Sequence, residues 1–444
     1  MFLWHCKPTW TVYKRKNEWH PEVRFHNLNF LNYYSKRRRG GFFNQDDRDQ
    51  IRRAGCCIIR NTLPPEAVME QNDALTNYIM NNGYFEQQKK RTQEVCNDTS
   101  AIKDEYFSQL NSGQPQIFGI YWSPTQIWAR QNPAMALVRQ YLNDVWDFYD
   151  TNVDTKEADE VDQEISPTNR SRPTNITHAS LTYADRIRRR EPGDSSLGLS
   201  PHVDSGSVER WMESNYRHGV YQDIFGSSSQ NQEGKISWDP ASFLEEYTPT
   251  AYRTEHRMLV EEIPSPAVCS VFRTFQGWLA LTPQGAGDGT LQLLPSVLAM
   301  PYILLRAMQD DVAQDDLCGA APGRALTVSP HWHPLLYDAH GKSLLVSVPQ
   351  MQPGDTVWWH PDTVHAVEDR HQGSDYSNVL YVAAVPDCGK NRAFLSRQRD
   401  AFLEGKSCPD FAPENYEQNY QGRPGLADLT PLGKWQMGFV DKSG

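Results

Sequence analysis

Residues 199–206 include a histidine and a carboxylate two positions apart, His202 and Asp204. On a β-strand, residues i and i+2 point to the same face, so this imidazole and this carboxylate can converge on one metal ion. The pattern His-x-Asp also arises often by chance, so alone it is weak evidence for a site. It predicts a metal centre only if a third ligand comes from elsewhere in the chain.

A second segment, residues 352–367, offers that third ligand. A Pro-Gly-Asp turn introduces an apolar strand, a short loop follows, and His365 opens the next strand. In a closed double-stranded β-helix, strands remote in sequence lie side by side, so His365 can complete a triad of two histidines and one carboxylate. Such a triad leaves coordination positions open, as an oxygen-activating iron(II) centre requires.

Other histidines compete with this assignment. His360 follows Trp359 at a strand end, where a histidine commonly packs without binding metal, so His365 is preferred as the third ligand. His331 and His333 share a strand face, but flanking prolines predict a loop and a hydrogen-bonded structural role. Four more histidines lie in polar segments and are predicted to be surface residues: His218, His256, His340 and His371.

A 2-oxoglutarate co-substrate would need a cation for its far carboxylate, ideally a bidentate arginine. Arg273 opens a predicted strand at 274–281 and could point into a barrel, although a surface ion pair would explain it nearly as well. Arg370 follows His365 closely, but its polar surroundings are typical of an exposed turn. Alternating arginines before the His-x-Asp segment could bind an anion or pair with acidic side chains: Arg186, Arg188 and Arg190.

The secondary structure predicted to position these residues changes along the chain, from helices to short strands and back to a helix. Helices are predicted to begin at Pro64-Pro65 and Asn132-Pro133, and helical character returns at 393–403. Between them lie short β-prone runs separated by Gly/Pro turns, at 180–183, 278–281, 290–294, 344–348, 356–359 and 379–383. The fold class predicted is mainly β with flanking α-helices, around a double-stranded β-helix (jelly-roll, cupin-like) core.

The predicted organisation is one catalytic domain, 46–444, preceded by a basic N-terminal extension, 1–45. That extension could be a targeting address, but a solvated or poorly ordered segment is the preferred interpretation. Within the domain we predict a helical cover at 46–150, an acidic insertion at 151–176, a β-helix core at 177–388 and a C-terminal helical segment at 389–444.

Composition excludes several classes of function. The formal net charge of −11 repels polyanions, so we expect no nucleic-acid partner. No apolar run approaches the roughly 20 residues of a membrane helix, so we expect no membrane partner. The eight cysteines form no C-x-x-C pair, and the start of the chain does not resemble a secretory signal. A cytoplasmic location is therefore the expectation.

Several long motifs resemble those of a bacterial and fungal family known as domain of unknown function fourteen seventy-nine. They include Tyr-Ala-Asp-Arg-Ile-Arg at 183–188, His-Val-Asp-Ser-Gly-Ser-Val-Glu-Arg-Trp at 202–211 and Phe-Arg-Thr-Phe-Gln-Gly-Trp at 272–278. Further matches lie at 120–126, 332–336 and 358–360, and the similarity runs from about residue 51 to the C-terminus without the acidic insertion.

This resemblance implies the fold of the iron(II)/2-oxoglutarate-dependent dioxygenase superfamily, with His202, Asp204 and His365 as metal ligands. It also favours Arg273 over Arg370, because Arg273 lies within a family motif. In two respects the sequence departs from what is expected. The superfamily's usual arginine near the start of the last barrel strand would fall at about 376–378, where this chain has none, and His331 stands where a different polar residue is expected.

The function predicted is therefore oxidation of a C–H bond in a small-molecule substrate, by hydroxylation, desaturation or ring closure. Fe(II), 2-oxoglutarate and O2 would take part, and succinate and CO2 would be released. Two alternatives stay open. One is a metal-dependent, cupin-like isomerase or hydrolase that does not use O2, and the other is a non-catalytic barrel that binds a metabolite.

Overall fold

The computed structural model describes residues 27–29, 43–97, 116–148, 177–195, 199–225, 251–265, 268–313 and 315–440. The predicted acidic insertion at 151–176 lies outside these residues, as does most of the predicted basic extension. Within the extension, Asn27–Asn29 forms strand β1, which pairs in parallel with the buried strand β2, Cys56–Arg60.

The N-terminal helices begin and end where local chemistry predicts. Helix α1, Gln45–Ala54, starts at a capping box in which Asn44 and Asp47 satisfy each other's backbone N–H groups. It ends at Gly55, whose φ of 67° is left-handed, so the chain turns directly into β2. Helices α2, Pro65–Asn81, and α3, Tyr84–Asn97, follow.

Two further helices cover the sheet. Helix α4, Pro124–Arg130, is capped by Ser123, and helix α5, Pro133–Asn143, is capped by Asn132; each carries proline at its first position. The apolar side of α5 packs against strands β4 and β13 of the large sheet described below. Both sequence-predicted helix starts, Pro64-Pro65 and Asn132-Pro133, are confirmed.

The large sheet contains eight strands and is antiparallel except at β1. Its order is β1-β2-β11-β7-β13-β5-β3, with β4 also paired to β13. The remaining bounds are β3 Ile117–Phe118, β4 Thr177–Leu181, β5 Ile187–Arg190, β7 Phe275–Ala280, β11 Thr356–Trp359 and β13 Ser377–Asp387. Strands β2 and β3 thus come from the segment for which the sequence predicted a helical cover.

The small sheet contains five antiparallel strands in the order β10-β8-β12-β6-β9. The strands are short, and the adjacent strands β6 and β12 carry His202 and His365, while Asp204 directly follows β6. Their bounds are β6 His202–Val203, β8 Leu291–Leu293, β9 Leu326–Thr327, β10 Val346–Ser347 and β12 His365–Val367.

The two sheets pack against each other through an apolar layer. Alternate residues of the large sheet, among them Ile58, Val357 and Trp278, join Leu291 and Leu293 of the small sheet in one buried cluster. The intervening residues of the large sheet, such as Ile59 and Trp358, point to the other face and cluster with residues of α2 and α5. This period of two is what a sheet covered on both faces requires.

The other helical elements lie in the loops and after the last strand. Helices α6 Glu209–Met212, α7 Gln222–Phe225 and α8 Ala299–Arg306 precede β9, with a π-turn at Tyr216–Val220. Helices α9, Gly389–Glu404, and α10, Pro431–Gln436, close the chain. Short 3₁₀ turns occupy Leu317–Gly319, Pro334–Leu336, Tyr416–Asn419 and Leu426–Asp428.

Antiparallel sheets with flanking helices therefore dominate the fold, as the sequence predicted. The predicted strand runs all correspond to strands, and the predicted C-terminal helix is α9. Among the described residues, no helix combines the length and the apolar character that crossing a bilayer demands.

Candidate metal centre

The three predicted ligands come together between strands β6 and β12. His202 and His365 are directly opposed in this antiparallel pair, although 162 residues of sequence separate them. The Nε2 atoms of His202 and His365 lie 3.5 Å from Oδ1 and 3.5 Å from Oδ2 of Asp204, respectively. Among the described residues, these three form a cluster whose possible ligand atoms all lie within 4.8 Å of one another.

Backbone carbonyls fix the orientation of both imidazole rings. Nδ1 of His202 is 2.7 Å from the carbonyl oxygen of Ser200, and Nδ1 of His365 is 3.1 Å from that of Thr363. A carbonyl can only accept, so each Nδ1 carries a proton and each Nε2 is the ring nitrogen that faces Asp204. Metal-binding histidines are held by this same kind of contact.

The electrostatics of the cluster favour an ionised carboxylate at Asp204. Burial alone raises the pKa of Asp204, but the His365 and His202 rings outweigh it and hold this pKa well below its usual range. Burial, together with the neighbouring His202, lowers the pKa of His365.

The backbone turns sharply after Asp204. Ser205 has a φ of 68° and Gly206 a φ of 91°, both in the left-handed region that a non-glycine residue rarely adopts. The fully buried Arg210 holds this turn: its Nη2 donates to the carbonyl oxygen of Asp204 at 2.7 Å, and its Nε donates to that of Gly206 at 3.3 Å. A strained turn that persists next to a ligand must be stabilised by its surroundings.

Arg210 also reaches the segment that carries the distant histidine. Its Nη1 forms a 2.8 Å ion pair with Oδ1 of Asp362, which lies three residues before His365. Asp362 is fully buried, pairs with Arg257 as well, and accepts a 3.0 Å hydrogen bond from the Tyr221 hydroxyl. Sequence reasoning missed this network, although Arg210 lies inside one of the recognised motifs.

His360 does not belong to the group of three candidate metal ligands. Its ring stacks on Trp146 at 4.9 Å, its Nε2 donates to the carbonyl oxygen of Ala251 at 3.0 Å, and its Nδ1 accepts from the backbone N–H of Asp362 at 3.1 Å. Burial, reinforced by the positive charge of Arg257, lowers the pKa of His360 to about 3. Both ring nitrogens are therefore occupied, as expected for a packing residue.

The other histidines follow the sequence predictions with one exception. His331 is exposed in a turn, and His333 is buried with its Nδ1 accepting from the Ser329 backbone at 3.3 Å. His218 and His340 are exposed and His256 is half-buried. The prediction that His371 lies on the surface is wrong: it is buried in a turn where its Nδ1 accepts from Gly373 N–H at 3.1 Å.

A cavity of about 110 Å³ is lined by the three candidate metal ligands, His202, Asp204 and His365. Arg273, Arg188 and Arg186 also line it, whereas Arg370 is exposed and does not. The charge of Arg186 is already paired, because Asp185 lies 3.4 Å away and the guanidinium stacks 4.1 Å above the Phe411 ring. The two remaining arginines have no carboxylate partner among the described residues.

Two lining residues that the sequence did not single out face the cavity as well. Gln276 and Trp359 are directly opposed on β7 and β11, and both are almost fully buried. Within the described part of the chain, Gln276 Nε2 and Trp359 Nε1 have no hydrogen-bond partner. Three large aromatic residues, Tyr121, Trp122 and Trp211, do not line the cavity and belong to the hydrophobic core clusters.

Comparison with known proteins gives the family. A family model described as Gig2-like matches residues 7–439, and so extends into the predicted basic extension. The Escherichia coli (strain K12) protein YbiU, named as uncharacterized, is 37% identical over 396 residues, which cover 89% of this chain and 82% of YbiU.

Solved structures agree with that match. One from Salmonella typhimurium LT2, provisionally named an oxidoreductase, is 34% identical with a TM-score of 0.73 and covers 93% of this chain and 86% of its own. GIG2, the GlcNAc Inducible Gene 2 protein (DUF1479) of Candida albicans, is 25% identical with a TM-score of 0.65, covering 94% and 80%. The family resemblance noted in the sequence is thereby confirmed, and the chain belongs to the Gig2-like family.

Proposed function

We propose that this protein is a non-haem iron(II), 2-oxoglutarate-dependent oxygenase that oxidises a C–H bond of a small-molecule substrate. The observation that carries the proposal is the meeting of His202, Asp204 and His365 at one end of a cavity, with both imidazole Nε2 atoms facing the carboxylate. Two histidines and one carboxylate form the donor set typical of this class of iron site.

The order of the strands supports a double-stranded β-helix as the fold. Four strands of the large sheet, in the order β5-β13-β7-β11, stand against four of the small sheet, in the order β6-β12-β8-β10. Along the chain, β5, β7, β11 and β13 lie in the large sheet, whereas β6, β8, β10 and β12 lie in the small one. The chain therefore winds repeatedly between two facing sheets, which brings His202 beside His365.

The donor set fits the metal that the fold implies. Imidazole nitrogens and a carboxylate suit Fe(II), and all three residues line the cavity. When bound, iron would supply O2 activation coupled to decarboxylation of 2-oxoglutarate into succinate and CO2. The chain itself holds the ligands, shields the site from bulk water and binds the co-substrate's distant carboxylate.

Arg188 is the better candidate for that carboxylate. The last strand of the barrel, β13, lacks the arginine usual near its start, but Arg188 on β5 is paired directly with Val379 of β13. Its guanidinium donates to neutral acceptors, the Gly289 carbonyl at 3.1 Å and Gln116 Oε1 at 3.1 Å, and burial lowers its pKa to about 10. A bound carboxylate would supply the missing charge. The sequence favoured Arg273, and Arg370 is too exposed for this role.

The test is metal content together with succinate formation. Wild-type protein reconstituted anaerobically with Fe(II) should hold one iron per chain and give a weak visible charge-transfer band on addition of 2-oxoglutarate. His202→Ala should lose both the iron and succinate formation, whereas the exposed His340→Ala should keep them. Unchanged iron and turnover in His202→Ala would refute the proposal. Tight zinc binding without decarboxylation would favour a metal-dependent hydrolase or isomerase instead.

A further inference from the structure

The cavity holds more unpaired positive charge than one co-substrate can use. Arg188 and Arg273 both line it, both are at least nine-tenths buried, and neither has an ion pair among the described residues. Burial lowers the pKa of Arg188. Burial alone would also lower the pKa of Arg273, but Cys269, Asp204 and Asp185 outweigh it and raise this pKa. Neither guanidinium forms an ion pair within the described part of the chain, so each can bind an added anion.

The two arginines enter the cavity from different ends of the large sheet. Arg188 is level with Val379 of β13, which is paired with Ala280 of β7, whereas Arg273 precedes the start of β7. At about 3.3 Å per strand residue, their backbone positions are roughly 20 Å apart along the sheet. The two guanidinium groups therefore approach the shared cavity from positions far apart along the sheet, and each can bind a separate anionic group.

Arg273 lies at the metal end of the cavity. Its Nη2 donates to the hydroxyl of Ser205 at 3.2 Å, and Ser205 directly follows the ligand Asp204. That hydroxyl is a neutral acceptor and is the only hydrogen-bond partner of Arg273 among the described residues. The guanidinium of Arg273 thus has N–H donors left to bind a ligand in the cavity beside the candidate metal ligands.

The neighbouring unpartnered groups are donors too. Gln276 follows Arg273 by three residues, and its Nε2 has no partner; Trp359 Nε1, opposite Gln276, has none either. The Trp359 ring lies 5.3 Å from the ring of His365, so these donors surround the same end of the cavity. A molecule bound there must offer acceptors, and an anionic group would satisfy Arg273 as well.

We propose that the primary substrate is a small organic anion, and that Arg273 binds its carboxylate beside the metal. The inference rests on the proposed function, in which Arg188 takes the far carboxylate of 2-oxoglutarate. It adds the chemical class of the second molecule.

The test uses acetate as the smallest carboxylate probe. Protein loaded with Zn(II), which supports no oxidation, is saturated with 2-oxoglutarate, and acetate binding is followed by saturation-transfer NMR. Wild type should bind acetate saturably, and Arg273→Gln should weaken it by about tenfold or more, as expected on losing a charged hydrogen bond. The control is Arg370→Gln, which removes an exposed arginine that does not line the cavity, and it should stay within about twofold of wild type.

Each outcome decides the proposal. An acetate affinity that Arg273→Gln leaves unchanged, or no saturable binding in wild type, overturns it, even if wild type makes succinate with Fe(II) and the proposed function stands. If Arg273→Gln does not fold, Arg273→Lys decides instead, because it keeps the charge but loses the planar fork. Acetate binding should then fall several-fold, and an unchanged affinity rejects the proposal.

Discussion

Arg210 and Asp362 form a 2.8 Å ion pair in which neither side chain is exposed to solvent. The pair joins the two halves of the candidate metal centre, since Arg210 also donates to the carbonyl of Asp204 and Asp362 lies three residues before His365. The ion pair thus links two segments that are far apart in sequence and that carry the candidate metal ligands. Contacts of this kind commonly set metal affinity as well as stability.

Asp362→Asn should therefore weaken both properties. Removing the charge leaves the fully buried Arg210 without its carboxylate partner, which should lower the free energy of unfolding by about 3–5 kcal/mol. Metal affinity should fall by about 10- to 100-fold. Urea unfolding and competition with a chelator measure the two effects.

The control is Asp311→Asn. The pair Arg306–Asp311 has the same 2.8 Å separation, but the Asp311 side chain is 69% exposed. This variant should leave the unfolding midpoint and the metal affinity unchanged. An Asp362→Asn protein with wild-type metal affinity would show that the network supports the fold only.

Variants of His365 and His360 should distinguish a metal ligand from a packing residue. His365→Gln should abolish metal binding, whereas His360→Gln should retain one metal per chain. His360→Gln should still lower stability by about 1–3 kcal/mol, because the backbone N–H of Asp362 and the carbonyl of Ala251 lose a well-placed partner. Metal analysis and thermal unfolding of both variants give the comparison, and loss of metal in His360→Gln alone would reverse the assignment.

Glu417 should make stability depend on pH near neutrality. It is buried, accepts from the backbone N–H groups of Tyr121 at 2.5 Å and Trp122 at 2.9 Å, and burial raises its pKa to about 7. The folded protein then holds a proton that the unfolded chain releases above a pKa of about 4.3. The corresponding stability is fully present below that value and is lost as the pH rises to about 7.

Comparison of wild type with Glu417→Gln isolates this effect. Glutamine stays neutral, so the difference in unfolding free energy between the two proteins should change by about 3 kcal/mol from pH 4 to pH 8, to the disadvantage of wild type at high pH. Chemical denaturation at several pH values measures it. A difference that does not vary with pH would place the pKa of Glu417 near its ordinary value.

Gly277 should not tolerate a side chain. A Cβ at this position would lie 2.6 Å from the carbonyl oxygen of Val357 and 2.6 Å from the Trp358 ring, on the adjacent strand β11. Gly277→Ala should therefore destabilise the protein by about 1–3 kcal/mol. Gly425→Ala, where the nearest atom is 4.0 Å away, is the control for glycine replacement and should unfold close to the wild-type midpoint.

Local patterns in the sequence predicted much of the architecture. Proline after a capping residue marked the starts of α2 and α5, and turn residues marked the strand runs that became β7, β8, β10, β11 and β13. The pairing of His202 and Asp204 on one side of the chain also follows from local geometry, because side chains in an extended segment repeat every two residues. These features depend on neighbours along the chain, which a sequence displays directly.

Tertiary contacts decided the rest, because they depend on which distant segments meet. The parallel edge strand β1, the place of β2 beside β11, and the burial of His371 left no local signal. The same holds for the Arg210–Asp362 pair, whose residues are 152 positions apart. Which arginines keep an unpaired charge was also undecidable from sequence, since pairing depends on the acidic side chains that folding brings within reach.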